Sequence, residues 1–170
     1  MNSNAKPPSL KTPRLILNQF TLDDATEVNT ICSNKVIADT TAHIPHPYSK
    51  EVAIEWIQAH DTRYKEGGFV VYAIRLRHSD NLIGAISLII DQTSNHAELS
   101  YWIRQESWNK GYCTEAAQAI IQFGFEYLNL LQSRYYNSIP SKNWYDSPKY
   151  AYSSYNHRRW SSHSGTDSDD

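Results

Sequence analysis

The chain has 170 residues, 20% of them charged, with 16 Lys and Arg against 18 Asp and Glu for a net charge of −2. That length supports one domain with a sizeable core rather than two, and the near-neutral balance, without a basic stripe, excludes the electrostatic footprint of a nucleic-acid binder. Cys32 and Cys113 are too few for a disulfide framework and too far apart in sequence to read as a metal pair, which fits a reducing compartment.

The opening "MNSNAKPPSLKTPR" has no apolar core of the kind a signal peptide needs, and no later run approaches a membrane span, so the expectation is a soluble cytoplasmic protein. "RLILNQF" is a short β-rich run after a proline and reads as a first strand. In "TLDDATEVNTICSN", Thr21 followed by Asp24 resembles a capping box, and Leu22, Ala25, Val28 and Ile31 fall on one face of a first helix. The prolines of "HIPHPYSK" make a loop, after which Ser49 caps a second helix with Val52, Trp56 and Ile57 on its inner side and Gly67-Gly68 at its end. Three strands follow, "FVVYAIRL", "LIGAISLII" and "HAELSYWI", separated by the turn-like "RHSDN" and "DQTSN", which suits an antiparallel meander. "TEAAQAIIQFGFEYLNLL" is apolar on more than one side and predicts a largely buried helix. Strand, helix, helix, three strands, helix is the order of an α+β or α/β sheet with the last helix packed on it.

Chemistry is expected where the meander gives way to that helix, at "WNKGYCTEA". The first N–H groups of a helix lack internal partners and the helix dipole is positive there, so an anion gains roughly 0.3 to 2 kcal/mol. Gly111 lets an anion approach the backbone closely, and Thr114 adds a hydroxyl. The bland alternative is a turn glycine beside a solvated Lys110. The two glycines of a P-loop and the three of a dinucleotide fingerprint are both missing, the next glycine being Gly124 inside the helix. What remains is a single-glycine anion cradle.

The pieces "TPRLILNQFTLDDA", "HIPHPYSKEVAIEWI", "LIGAISL", "AELSYWI" and "WNKGYCTEAAQAIIQFGFEYL" resemble the acetyl-CoA-dependent N-acetyltransferases of the GNAT superfamily, in the branch that acetylates N-terminal amines of ribosomal proteins. The resemblance covers residues 12–131, in the family's order. It implies an α+β, three-layer fold with a mixed, mostly antiparallel sheet splayed between its fourth and fifth strands, where the pantetheine arm of acetyl-CoA lies. By position "HAELSYWI" is the fourth strand, so the backbone around Trp102, Ile103 and Arg104 would pair with the pantetheine amides. Asn109, Lys110, Gly111, Tyr112, Cys113 and Thr114 would hold the diphosphate. Asn109 replaces a more usual Gly and Cys113 an Ala or Gly; Asn tolerates a left-handed backbone and Cys is small.

The reaction this resemblance implies is direct attack of a neutral amine on the thioester, which needs positioning, proton removal and carbonyl polarisation. An α-amine has a pKa of about 8 and a lysine about 10.4, so presenting the neutral form costs a lysine roughly 3 kcal/mol more. A protein N-terminus is therefore the expected acceptor, although similar scaffolds also serve free amino-acid, polyamine and antibiotic amines, and Glu98 is the candidate base, directly or through a water; the alternative for Glu98 is a solvent-facing strand carboxylate. Cys113 at a helix start could instead be a nucleophile, but no histidine pattern ties a base to it. His43 and His46 could line the acceptor entrance or be surface residues. No metal spacing occurs, and Trp56, Trp102 and Trp108 read as packing.

After Leu131 the pattern ends: Ile139 is the only remaining Ile, Leu, Val or Met, and Ser and Tyr dominate. Here the family would supply a fifth strand, a helix, two closing strands and a tyrosine acid, and only "NSIPSK" echoes its turn. Residues 132–170 are thus expected to be an atypical tail, frame-shifted or of natural low complexity. A chain without a fifth strand would lack one wall of the acetyl-CoA slot, leaving a catalytically impaired relative as the second reading.

Overall fold

Alternation along the central strands places apolar side chains on both sheet faces, so each face needs its own layer of helix. A computed structural model describes residues 6–41, 44–94, 96–128, 130, 132–135 and 153–154. The strands are β1 (Leu10–Lys11), β2 (Leu15–Asn18), β3 (Phe69–Leu76), β4 (Leu82–Asp91), β5 (His96–Ile103), β6 (Gln132–Tyr135) and β7 (Ser153–Ser154), and they lie side by side in that order. All pairings are antiparallel except β5 with β6, which makes the sheet mixed. The helices are α1 (Ala25–Cys32), α2 (Lys35–Asp39), α3 (Lys50–Lys65) and α4 (Tyr112–Tyr127). The architecture is α+β in three layers around a mixed, mostly antiparallel sheet, as expected.

One face carries Leu15, Leu17, Val70, Tyr72, Ile74, Ile86, Leu88, Leu99 and Ile103, packed beneath Ala116, Ile120 and Phe123 of α4. The other carries Phe69, Val71, Ala73, Ala85 and Trp102 beneath Val28, Ile31, Ala53 and Ile57 of α1 and α3. Tyr72 is fully buried, and its hydroxyl donates to the Pro8 carbonyl at 3.0 Å, so that hydroxyl is not stranded. Arg75 closes the far end through a 2.6 Å ion pair with the buried Asp24 and a 3.0 Å bond to Asn18.

Several elements differ from the sequence reading, among them the two-residue strands Leu10–Lys11 and Ser153–Ser154; the first makes "HAELSYWI" the fifth strand in chain order rather than the fourth. Residues Leu22–Asp24 form a 3₁₀ turn, and its different pitch swings Leu22 out of the α1 stripe to 53% exposure, whereas Ala25, Val28 and Ile31 are buried as expected. A short helix, α2, follows where none was expected; Asn34 caps it by accepting from the Val36 N–H at 3.0 Å. The backbone of Gln132–Tyr135 forms a strand on β5, in a stretch with no strand pattern. Its pairing is a backbone property that an apolar period does not report. His43 and most of the tail, its tyrosines other than Tyr135 included, lie outside the described residues, as does the question of what closes the sheet beyond β7.

Candidate active site

The strand β5 is paired on both sides for only half its length. On one side it pairs with β4 from His96 to Ile103; on the other, β6 accompanies it only from His96 to Leu99. Among the described residues, none accompanies Ser100–Ile103 on that outer edge. The Arg104 N–H donates to the Ile83 carbonyl at 2.7 Å, which sets the alternation: backbone groups of residues 100, 102 and 104 face β4, and those of Tyr101 and Ile103 face the outer edge. Of the three backbone positions expected from sequence, then, Ile103 lies on the outer edge and Trp102 and Arg104 face β4. The Arg104 side chain pairs with Glu27 of α1.

Beyond β5 the chain makes a 3₁₀ turn, Gln105–Ser107, and reaches α4. The Trp108 indole N–H donates to the Ile103 carbonyl at 2.6 Å, tying this loop to the strand end. Asn109 and Gly111 both take left-handed backbone, with φ of 58° and 75°, the conformation that the Asn and Gly residue types accept at least cost. The helix ladder begins with the Glu115 N–H on the Gly111 carbonyl at 3.1 Å. Amides ahead of that bond lie outside the ladder, and a glycine at the N-cap offers them no side chain. Asn109, Lys110 and Gly111 are exposed, and Tyr112, Cys113 and Thr114 half-buried. Cys113 packs against the α4-side core, which agrees with its reading as a small apolar residue.

A clamp absent from the sequence reading holds this helix start. Glu115 Oε1 accepts from the Thr12 hydroxyl (2.5 Å) and the Arg14 N–H (2.8 Å), and Oε2 accepts from Arg14 Nε at 2.6 Å. Arg14 Nη1 also donates to the Lys110 carbonyl at 2.9 Å, with its guanidinium 4.8 Å from the Tyr112 ring centre. Burial by itself raises the Glu115 carboxyl, but the bonds from Thr12 and Arg14, together with the Arg14 charge, outweigh it and hold the group below its ordinary range. The carboxylate at the helix start is thus neutralised locally, so it does not cancel the attraction of the dipole for an incoming anion.

On the α3 side of the same strand end lies a cavity of about 400 Å³, lined by Trp56, Phe69, Ser87, Glu98, Ser100 and Trp102 among others. Glu98, Ser100 and Trp102 are alternate residues of β5 and share this face. Cys32, also in the lining, has its thiol pushed up to about 12 by burial, so it stays protonated. Trp56 packs edge-on against Phe20 (5.0 Å between ring centres) and His60 (4.4 Å), and 6.3 Å from Trp102. Both tryptophans are wall residues here.

A strand edge without a partner among the described residues, an uncapped helix start and a cavity thus meet at one end of β5. The sequence profile described as "Acetyltransferase (GNAT) domain" matches residues 14–143. The chain belongs to the GNAT acetyltransferases. It is similar to the uncharacterized N-acetyltransferase YoaA of Bacillus subtilis (strain 168), 32% identical over 124 residues that cover 72% of this chain and 70% of that protein. Its fold is similar to that of the ribosomal-protein-S5-alanine acetyltransferase from Vibrio fischeri, with a TM-score of 0.66 at 15% identity over 76% of this chain and 73% of that one. It is likewise similar to RimL, a ribosomal L7/L12 alpha-N-protein acetyltransferase solved in complex with coenzyme A, with a TM-score of 0.68 at 14% identity over 75% and 73% of the two chains.

As a GNAT enzyme the protein is an N-acetyltransferase that uses acetyl-CoA as acyl donor. The residues present fit that donor: a diphosphate needs outward-facing amides without a side chain in the way, and the left-handed Asn109 and Gly111 with a bare N-cap supply them. The match runs to residue 143, past the point where the apolar pattern stops. Among the described residues no helix is long and apolar enough to cross a membrane, and no group of three His, Cys, Asp or Glu could hold a metal ion.

Proposed function

We propose that this GNAT acetyltransferase transfers the acetyl group to a protein N-terminal α-amine, in a ternary complex and without an acyl-enzyme. Acetyl-CoA supplies the thioester. The amides of residues 109–114, with the Thr114 hydroxyl, hold its diphosphate, and the Ile103 N–H on the outer edge of β5 pairs with a pantetheine carbonyl as a further strand would. That directs the acyl end along β5 toward Ser100 and Glu98. The acceptor enters the cavity on the α3 side, and Glu98 takes its proton, directly or through one water.

The observation that carries this reading is the junction at the end of β5, where a left-handed turn into an α4 start without a capping side chain follows a strand whose alternate residues Glu98, Ser100 and Trp102 line one cavity. A peptide terminus suits the chemistry, because an α-amine needs only a modest base. The names of the ribosomal-protein acetyltransferases that share the fold point the same way.

Calorimetric titration with acetyl-CoA, followed by mass spectrometry of peptides incubated with enzyme and acetyl-CoA, tests it. Micromolar binding with acetylation at the α-amine supports the proposal. Binding with acetylation confined to lysine side chains or small amines removes the proposed acceptor, and no binding removes the reading of residues 109–114.

A further inference from the structure

The face of the sheet that floors the cavity is a grid whose rows are fixed by register. Phe69, Ile89 and Glu98 stand in one row across β3, β4 and β5; Val71, Ser87 and Ser100 in the next; Ala73, Ala85 and Trp102 in the third. Arg63, in the last turn of α3, lies over the Phe69 end of the first row with its guanidinium carbon 4.1 Å from the ring centre. Among the described lining residues Arg63 is the one guanidinium and Glu98 the one carboxylate. Two strand spacings separate the ends of that row, about 10 Å. No ion pair involves Arg63 among the described residues, and it is exposed. Stacking on Phe69 fixes the plane of the guanidinium and leaves its N–H edges for a planar anion, a carboxylate above all.

From this arrangement we infer that Arg63 selects acceptor peptides carrying Asp or Glu in the second or third position. The inference rests on the cavity being the acceptor site, with the α-amine at Glu98. A free α-amino acid cannot serve both ends, since one carbon joins its amine and carboxylate. An extended peptide advances about 3.3 to 3.6 Å per residue, so an acidic side chain one or two residues after the amine reaches the Arg63 end of the row. Ile89, 36% exposed between the two charges, gives the intervening chain an apolar floor. Charge at each end of an otherwise uncharged wall fixes the direction in which the peptide lies, which is what selectivity among N-termini requires.

The test is a peptide series differing only at positions two and three, with Asp or Glu, Asn or Gln, and Lys, assayed with the wild-type enzyme, Arg63→Gln and Arg63→Glu. The wild type should favour acidic over neutral peptides at least fivefold in kcat/KM. Arg63→Gln should level that ratio while leaving the rate on neutral peptides within twofold, and Arg63→Glu should turn the preference toward lysine. Acidic and neutral peptides acetylated equally by the wild type, or a preference that survives Arg63→Glu, overturns the inference and leaves the N-terminal reading standing. A wild type that acetylates none of the peptides while acetylating small amines overturns the reading and the inference together. Coincident thermal melts of the three proteins exclude misfolding as the cause of either change.

Discussion

The two faces of the sheet are made by the same strands and differ in side-chain size. Toward α4, β4 presents Ile86 and Leu88 and β5 presents Ala97, Leu99 and Ile103, all buried and closely covered by Ile120 and Phe123. Toward α3, the alternate positions of the same strands are Ala85, Ser87, Ser100 and Glu98, and a cavity of about 400 Å³ stands over them. The small and polar Ala85, Ser87, Ser100 and Glu98, set between Ile89 and Trp102 on that face, leave the space that larger side chains would fill. Strand alternation thus lets one sequence segment make a stable wall on one side and an open workplace on the other.

The sharpest break in that comparison is expected on the closed face. Ile120→Ala removes a fully buried side chain between α4 and the sheet and should cost about 2 to 5 kcal/mol. Ser100→Ala on the open face should stay within about 0.5 kcal/mol. Urea unfolding of both variants measures the difference, and similar losses would mean that both faces are equally close-packed. Next in size is Glu98→Gln. It should lower kcat by about a hundredfold on α-amine peptides, worth roughly 2.7 kcal/mol in the barrier, with stability unchanged. An unaltered rate would assign Glu98 to the solvated surface and leave proton removal to another group.

A smaller effect is expected at the junction of the two faces. Gly111 has a φ of 75°, and a Cβ added there would sit 3.4 Å from Arg14 Nη2. Gly111→Val should therefore weaken acetyl-CoA at least tenfold, about 1.4 kcal/mol, by calorimetry. Binding as tight as in the wild type would mean that the diphosphate lies elsewhere.

Features with a local signal were legible in sequence: the three long strands, Ser49 at the start of α3, and the Asn109–Gly111 turn into α4. Asn34 also carried a cap signal that could have found α2. The rest depends on partners distant in the chain. Glu115 meets Thr12 and Arg14 about a hundred positions away, which no spacing rule connects. The cavity follows from the register that aligns Phe69, Ile89 and Glu98 across three strands. Leu22 was misplaced because an apolar residue in a capped segment looks helical whether the turn is α or 3₁₀. Glu98 was a candidate because the family resemblance placed its strand beside the thioester; the cavity that it lines carries no signal in the sequence.

His60 tests how far the open face departs from close packing. Its ring sits among Phe20, Trp56 and Phe69, with Nε2 buried and without a hydrogen-bond partner among the described residues. Burial first, and then the charge of Arg63, push its pKa down to about 4 against a smaller upward pull from Asp61. The unfolded chain takes up this proton near pH 6.5, whereas the folded protein resists until about pH 4. Between those values the unfolded state binds more protons, so the His60 contribution to stability is fully present above pH 6.5 and is lost as pH falls toward 4. Allowing for the half-buried ring, the loss between pH 7.5 and 5 should be on the order of 1 kcal/mol. Comparing urea midpoints of wild type and His60→Leu across that range isolates it: the difference should change with pH only below about 6.5. Parallel curves would show that this imidazole titrates alike in both states, and that solvent reaches deeper under α3 than the geometry of the aromatic cage allows.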